Sequence, residues 1–387
     1  MIARPLVPEC RRRPVSAAVA LVLVAVCVMA AGCVSQGRYA QEQDIQIVKI
    51  SSDGTVSWNT TIDHGNDEEM RDIVEMDDGS FIIAGGSSPI KDCTGYSTPE
   101  PPGYIPIPRD AQLIGLSDSG EIRWLRNYSI NGNWGMISVF KNSDQTLDAL
   151  SAMGELWHLQ SDGSVIRHRP VNITQISSAV RTRDGGYFIV SDDNIASLTG
   201  SNITKLDPEG NVQWQLWFNE SQFTGITQAV ELPEKHGYLF GATYDNATSG
   251  KFQIFIIRLS PGGVLLNNSS VDQVPSLFYG YSLHSRPEEY IFVYAHNSPS
   301  DSSKTLVKIS ESGSIISSDT LDNSAGYFIP TNDEGFLSID NAVQKIDKNG
   351  NIQWKNTGWI SGRVEKAIQT TDGGFVIMTA TKKMSKC

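Results

Sequence analysis

Internal repetition constrains the fold of this chain more than any other feature, because two short patterns alternate along it and each occurs seven times. The first pattern is an apolar run, a turn that contains Gly and a second short strand, often with Trp, as in IVKISSDGTVSW. Its copies lie at 47–58, 113–124, 156–167, 203–214, 255–266, 306–317 and 343–354. The second pattern resembles IVEMDDGSFIIAGG, and its copies lie at 73–86, 137–150, 179–192, 229–242, 281–294, 327–340 and 367–380.

Each pattern predicts a β-hairpin. The Asp residues of the turns supply acceptors for turn amides, and the Gly residues can adopt positive φ. The flanking runs alternate or are wholly apolar, which is typical of strands sandwiched between neighbouring sheets. Two hairpins make a four-stranded sheet with two apolar faces, and such sheets are stable only when they stack on one another, as they do in a ring.

The order of the patterns predicts how the ring closes. The chain begins with a first-pattern hairpin (47–58) and ends with a second-pattern hairpin (367–380), so the last blade is shared between its two ends. The sequence therefore predicts an all-β, seven-bladed β-propeller over residues 45–387, closed by pairing of the N- and C-terminal hairpins. One equivalent position holds a tryptophan in four copies, which we expect to pack between blades: Trp58, Trp124, Trp214 and Trp354.

The repeats also resemble a known family. The stretches WNTTIDHGNDEEMRDIVEMDDGSFIIAGG (58–86) and KIDKNGNIQWKNTGWISGRVEKAIQTTDGGFVI (345–377) are similar to those of secreted archaeal and bacterial repeat lipoproteins. These repeats are described as quinoprotein-like or WD40-like propellers, and the resemblance covers about residues 45–381. It implies a propeller on an exported protein, but no activity, because most members are uncharacterised surface proteins.

The N-terminus predicts export and anchoring. Arg11 to Arg13 precede an uncharged stretch, 14–32, which is the layout of a secretory signal. The stretch ends in Ala30-Ala31-Gly32-Cys33, which resembles a lipobox and implies cleavage before Cys33 and lipidation of its thiol. An uncleaved signal anchor is the alternative, since residues 14–32 can just span a bilayer. Both interpretations place the body on the extracellular face of the cell membrane, with 1–33 as signal, 34–44 as a short tether and 45–387 as the propeller.

The net charge of the chain and its predicted export limit the classes of partner that we expect. The net charge is −12, and removal of 1–33 (net +3) would make it −12 − 3 = −15. We therefore expect no nucleic-acid partner, and we expect a monomer. Export makes N-glycosylation feasible at eight Asn-x-Ser/Thr sequons: Asn59, Asn127, Asn172, Asn202, Asn219, Asn246, Asn267 and Asn268. Cys93 and Cys387 remain after processing, either as a disulfide or as two free thiols.

Three groups of residues are candidate sites. An acidic group in one blade-to-blade connector either holds Ca²⁺ or is a solvated loop: Asp63, Asp67, Glu68, Glu69 and Asp72. Aromatic residues in connectors could stack on sugar rings or pack into the core: Trp134, Trp217, Phe218 and Trp359. The longest connector, 87–110, is either a recognition loop or a tolerated insertion.

The functional interpretation follows from the predicted anchor, the predicted ring and the lack of a catalytic motif. The chain contains no Gly-x-Ser-x-Gly, His-Glu-x-x-His or phosphate-loop motif, and its histidines lack metal-ligand spacing. We expect no catalytic residue and no cofactor other than Ca²⁺, and we expect a non-enzymatic surface protein that binds glycan or protein ligands through its connector-rich face. The alternative is a polysaccharide hydrolase or lyase with carboxylates at the channel mouth. Carboxylates that converge in a deep central pocket would favour the alternative.

Overall fold

The computed structural model describes fourteen parts of the chain: 39–89, 110–128, 135–192, 201–218, 223–226, 229–246, 251–274, 281–286, 289–295, 304–321, 327–340, 342–358, 360 and 362–386. These residues contain 29 strands and one 3₁₀ turn, Pro233–Lys235. None of the helical structure in these ranges is long and apolar enough to cross a membrane.

The strands form seven antiparallel sheets, the blades. Blade 1 contains β3 (Asp67–Glu75), β4 (Phe81–Ser88), β5 (Asp110–Leu116) and β6 (Ile122–Tyr128). Blade 2 contains β7 (Met136–Lys141), β8 (Leu147–Ser151), β9 (Glu155–Leu159) and β10 (Val165–Pro170). Blade 3 contains β11 (Ile176–Arg181), β12 (Tyr187–Asp192), β13 (Ser201–Leu206) and β14 (Val212–Phe218).

The remaining blades repeat this order. Blade 4 contains β15 (Phe223–Ile226), β16 (Val230–Glu231), β17 (Tyr238–Asn246), β18 (Lys251–Leu259) and β19 (Leu265–Val274). Blade 5 contains β20 (Tyr281–Arg286), β21 (Glu289–Ala295), β22 (Lys304–Ile309) and β23 (Ile315–Leu321). Blade 6 contains β24 (Tyr327–Pro330), β25 (Phe336–Ile339), β26 (Ala342–Ile346) and β27 (Ile352–Thr357). Blade 7 contains β28 (Arg363–Gln369), β29 (Phe375–Lys386), β1 (Tyr39–Ile50) and β2 (Val56–Ile62).

The seventh blade closes the ring as predicted. Its sheet has the order β2-β1-β29-β28, so two strands come from each end of the described chain. The pairing of β1 with β29 runs in register from Tyr39 opposite Lys386 to Ile50 opposite Phe375. The prediction of a seven-bladed propeller closed by its terminal hairpins is therefore confirmed.

The hydrophobic core lies between the blades. Strand β4 is buried along its whole length because both of its faces meet neighbouring sheets, whereas β6 on the rim is mostly exposed. One core cluster joins blades 7 and 1 through residues such as Ile45, Ile83 and Met378. Equivalent clusters join other neighbouring blades, so each sheet is stabilised by the two beside it.

Three of the four equivalent tryptophans fasten neighbouring blades in the same way. The indole Nε1 atoms of Trp58, Trp214 and Trp354 each donate a hydrogen bond of 2.8 Å to a turn carbonyl of the next blade. Each indole also covers the turn glycine there; a Cβ built on Gly120 would lie 2.5 Å from the ring of Trp58. The predicted packing between blades is confirmed for these three residues. It is also confirmed for Trp124, whose ring would lie 2.9 Å from a Cβ built on Gly163 of blade 2.

The ring has two different faces. At one end of the blades, tight turns join strands one and two and strands three and four, as at 76–80 and 117–121 in blade 1; we call this end the turn face. At the other end, the chain passes between strands two and three and from blade to blade, as at 63–66; we call this end the connector face. Strand β1 begins and β29 ends at the connector face.

Candidate functional site

The predicted acidic connector is shorter than expected. Because Asp67 pairs with Ser88, strand β3 begins there, and only 63–66 connects blade 7 to blade 1. Four of the five predicted ligands therefore lie on β3 and not in a loop. Asp72 faces the ring axis, where its two carboxylate oxygens lie 3.1 Å from Lys366 Nζ and 3.1 Å from the amide nitrogen of Val139.

A different set of carboxylates comes together at the connector face. Oxygen atoms of Glu42, Asp44 and Asp63 lie within 4.8 Å of one another, close enough to hold one cation. The ammonium of Lys383 stands among them, 3.3 Å from Asp44 and 3.0 Å from Asp63. Only Asp63 belongs to the predicted set. Sequence reasoning missed Glu42 and Asp44 because pairing of β1 with β29 brings them into position.

Glu68 lies fully buried beside this group. Its Oε1 accepts a hydrogen bond of 3.2 Å from the amide of His64, and its Oε2 has no hydrogen-bond partner among the described residues. Burial raises the pKa of Glu68 to about 7, and the negative charge of Asp44 adds to the effect. Burial likewise raises the pKa of Asp44, while the hydrogen bond from Lys383 opposes the rise. A cation bound here would favour the ionised form of both carboxyl groups.

The central channel is polar. The first strands of blades 1, 2, 3, 6 and 7 enclose a cavity of about 340 Å³ lined by side chains that include Arg71, Ser138, Ser178, Arg181 and Lys366. Burial raises the pKa of the channel carboxyl group Glu365, and Arg363 lies 2.7 Å from its Oε1. Asp72 is paired with Lys366, so both of these channel carboxylates have a cationic partner.

One histidine of blade 2 belongs to a buried polar network. Asp148 is 5% exposed, and its carboxylate receives His158 Nδ1 at 2.7 Å, the Tyr187 hydroxyl at 2.7 Å and Arg181 Nη1. The network joins blades 2 and 3. Because every partner of Asp148 is a donor that stabilises its charge, the carboxyl pKa stays below its ordinary value despite burial. This arrangement is typical of a structural interaction.

A second recurring contact was not predicted from the sequence. In three blades, the aspartate of the first turn binds a lysine of the third strand: Lys49–Asp372 at 2.9 Å, Lys205–Asp184 at 2.9 Å and Lys345–Asp333 at 2.8 Å. The lysines are almost fully buried. Hydrogen bonds from turn residues and lysine lower the pKa of each aspartate to about 2 against the opposing effect of burial.

The predicted aromatic site is described only in part. Trp217 and Phe218 belong to strand β14, not to a connector, because they pair with Asn202 and Ser201 of β13. Trp217 is 54% exposed on the rim, near the connector face. Trp134 and Trp359 lie outside the described residues, as do Cys33, Cys93 and Cys387.

The predicted glycosylation sites fall into two groups. Asn59, Asn127, Asn172 and Asn268 are exposed, and Asn267 is partly exposed. Asn202 is 3% exposed within β13, where the fold shields its amide from solvent. Asn246 ends strand β17, and Asn219 lies outside the described residues.

Comparison with known proteins identifies the fold. No protein-family model and no curated protein sequence matches the chain. Among solved structures, the chain is similar to the WD40 β-propeller domain of Doa1, with a TM-score of 0.50 and 12% identity over 84% of this chain and 95% of that one. It is also similar to BamB from Moraxella catarrhalis, with a TM-score of 0.41 and 13% identity over 86% of this chain and 91% of that one. At these identities the likeness concerns architecture alone.

Proposed function

We propose that this protein is a β-propeller anchored at the extracellular face of the cell membrane, where it binds glycan or protein ligands without transforming them. The anchor is the lipid on Cys33, and the partners are the membrane and a surface ligand. The ring acts as a monomer, and Glu42, Asp44 and Asp63 of its connector face lie close enough together to hold Ca²⁺.

Our preference for binding without hydrolysis rests on the ion pairs in the central channel. A glycosidase needs two carboxyl groups, one as acid and one as base or nucleophile, on either side of a bound sugar. In this channel, Lys366 lies 3.1 Å from Asp72, and Arg363 lies 2.7 Å from Glu365. Each of these carboxylates therefore has a cationic partner beside it, which favours a positioning role for the channel side chains.

The position of the anchor decides which face meets the ligand. Strand β1 begins with Tyr39 at the connector face, so five residues, 34–38, separate that face from Cys33. Such a tether spans at most about 18 Å when fully extended. Lipidation of Cys33 would therefore keep the connector face near the membrane and leave the turn face directed outward. We accordingly propose that soluble and surface-bound ligands reach the turn face, and not the connector face expected from the sequence.

The proposal is tested with the full-length chain and its Cys33→Ser variant. Wild-type protein should fractionate with membranes and remain accessible to protease added outside intact cells, whereas Cys33→Ser should appear in the soluble fraction. Purified protein is then incubated with a panel of surface polysaccharides, with and without Ca²⁺, and both retained glycan and newly formed reducing ends are measured. Retention without new reducing ends supports the proposal. A protein that remains inside the cell, or that retains neither glycan nor a surface protein, contradicts it.

A second candidate function is cleavage of polysaccharides at the channel mouth, by a hydrolase or a lyase reaction. The observation that favours it is that two carboxyl groups, Asp72 and Glu365, line the central cavity, and burial raises the pKa of Glu365, which prepares it to act as a general acid. This candidate predicts new reducing ends that the Glu365→Gln variant fails to release. If the wild type and this variant both retain glycan and release none, hydrolysis is excluded for that substrate.

A further inference from the structure

Blade 1 departs from the repeat at a buried position of its third strand. The penultimate residue of the third strand is basic in six blades: Lys49, His158, Lys205, Arg258, Lys308 and Lys345. In blade 1 that residue is Gly115. The departure is visible in the sequence once the seven first-pattern copies are aligned, because LIGLSDSG replaces the pattern of IVKISSDG.

The loss of this side chain leaves an aspartate without its lysine. Asp78 occupies the turn position at which Asp184, Asp333 and Asp372 bind the buried lysines of their own blades. The guanidinium of Arg123 is 3.7 Å away from Asp78, at the outer strand. Hydrogen bonds from Ser80 lower the pKa of Asp78, so its exposed carboxylate is charged at neutral pH.

Gly115 also gives Trp124 additional room, while the six-membered ring of Trp124 still covers the turn glycine Gly163 of blade 2. Trp124 pairs with Gly115 across the strands, where its equivalents Trp58, Trp214 and Trp354 pair with lysines. A Cβ built on Gly115 would lie 2.3 Å from Cε2 and Nε1 of Trp124, so the pyrrole edge of the indole occupies the space of the missing side chain. Among the described residues, Trp124 Nε1 makes no hydrogen bond to the next blade.

These changes accompany a cavity between blades 1 and 2. It has a volume of about 390 Å³, lies at the turn face and is bounded by the turns of both blades. Its walls combine the apolar surfaces of Trp124 and Met76 with hydrogen-bonding groups. The polar lining residues are Asp78, Ser80, Arg123, Gln145, Ser161 and Asp162.

We infer that this cavity binds one pyranose unit of a glycan, with Trp124 packing on the sugar ring. A pyranose has an apolar C–H face, which fits an indole, and hydroxyl groups that need both acceptors and donors. Asp78 and Asp162 supply charged acceptors. Arg123 supplies donors, and so does the second N–H of the Gln145 amide, which donates its first to Asp77. The volume suits a small ligand. The inference rests on the proposed glycan-binding function and places the sugar on the turn face, away from the membrane.

The test uses the full-length chain in detergent and pyranose oligosaccharides of two to six units, built on glucose, mannose, galactose or N-acetylglucosamine. Binding is measured by calorimetry and by the change in tryptophan fluorescence. Gly115→Lys restores the lysine of the repeat and should weaken binding about tenfold or more by filling the cavity. Asp78→Asn retains the turn acceptor, removes the charge and should weaken binding by a similar factor. Trp217→Phe changes the exposed aromatic residue of the rim and should leave binding unchanged.

The outcomes separate this site from the proposed function. If the wild type binds an oligosaccharide and both Gly115→Lys and Asp78→Asn bind it equally well, the cavity is not the site, while glycan binding stands. If only Trp217→Phe loses affinity, the sugar binds at the rim and the inference is wrong. If the wild type binds no oligosaccharide, both the inference and glycan binding fail. Thermal melting of each variant checks folding, and Asp78→Asn decides the question if Gly115→Lys is unfolded.

Discussion

The buried lysines show how single residues stabilise a blade. Lys205 is 1% exposed and depends on Asp184, whose side chain is 43% exposed. Removal of the aspartate charge should therefore cost more than its exposure suggests, because it leaves an uncompensated ammonium in the core. We expect Asp184→Asn to lower the free energy of unfolding at pH 7 by about 1–3 kcal/mol, as measured by urea denaturation. The matched control is Asp53→Asn, an exposed turn aspartate without a lysine, which should cost less.

The same pair predicts an acid dependence. The pKa of Asp184 is about 2 in the folded state and near its ordinary value of 3.8 in the unfolded state. Its contribution to stability is therefore fully present above about pH 4 and is lost as the pH falls toward 2. The difference between wild type and Asp184→Asn should shrink over this range. A difference that stays constant from pH 7 to pH 2 would contradict the assignment.

Glu68 should have the opposite pH dependence. Its pKa of about 7 in the folded state exceeds the ordinary value of 4.5, so the folded state retains a proton that the unfolded state has lost. Stability should therefore fall as the pH rises from about 4.5 to 7. Glu68→Gln removes the ionised form, and we expect it to be more stable than wild type by about 3 kcal/mol above pH 7 and equal to it below pH 4.5. A variant that is less stable at pH 8 would show that the carboxylate has a partner beyond those described.

At the scale of the elements, the turn glycines connect neighbouring blades through the tryptophans. Gly120 has a φ of +85°, and a Cβ there would lie 2.5 Å from the indole of Trp58. Gly350 has a similar φ of +87° but no atom within 4 Å of the same point. Gly350→Ala should therefore cost about 1–2 kcal/mol from the left-handed backbone alone, and Gly120→Ala should cost about 2 kcal/mol more from overpacking. Urea denaturation of both variants measures the difference, and equal costs would mean that the tryptophan contact contributes nothing.

The hairpins could be predicted from the sequence because their signals are local. Each turn contains Gly or a polar residue within a few positions of two apolar runs, and the structure places strands on either side of every predicted turn. The start of β3 is not a local property: Asp67 becomes part of the strand because Ser88 is available to pair with it. For the same reason Trp217, expected in a connector, lies in β14 opposite Asn202. Strand ends depend on the partner strand, which a single stretch of sequence does not contain.

At the scale of the whole molecule, the ring could be predicted because seven hairpins of each pattern combine into seven blades and leave no hairpin unpaired. The side-chain groups that the ring assembles could not be predicted in the same way. Lys49 and Asp372 are 323 residues apart in sequence and meet only because β1 pairs with β29. Lys383, Asp44 and Asp63 meet by the same closure. The exception is Gly115, whose departure from six basic equivalents is visible by alignment of the repeats with one another.

Closure through blade 7 predicts that the chain tolerates a change in the position of its ends. Because Tyr39 lies opposite Lys386, a two-residue Asn-Gly turn can join them, and new ends can be opened in the connector 63–66. This permuted chain, lacking 1–38, should fold as a monomer and melt within about 5 °C of the unpermuted ring 39–386, as measured by size-exclusion chromatography and circular dichroism.

The matched comparison is the unpermuted ring without 39–62, that is, a chain of residues 63–386 that lacks β1 and β2. It leaves the buried strand β29 as an open edge with Ile377 and Met378 uncovered, and we expect it to aggregate. A shortened chain that remains a folded monomer, together with a permuted chain that does not fold, would mean that the two ends do not share a blade. The opposite pair of results would establish that the ring is held shut by the pairing of β1 with β29, since the permutation keeps every strand of blade 7 and the deletion removes two.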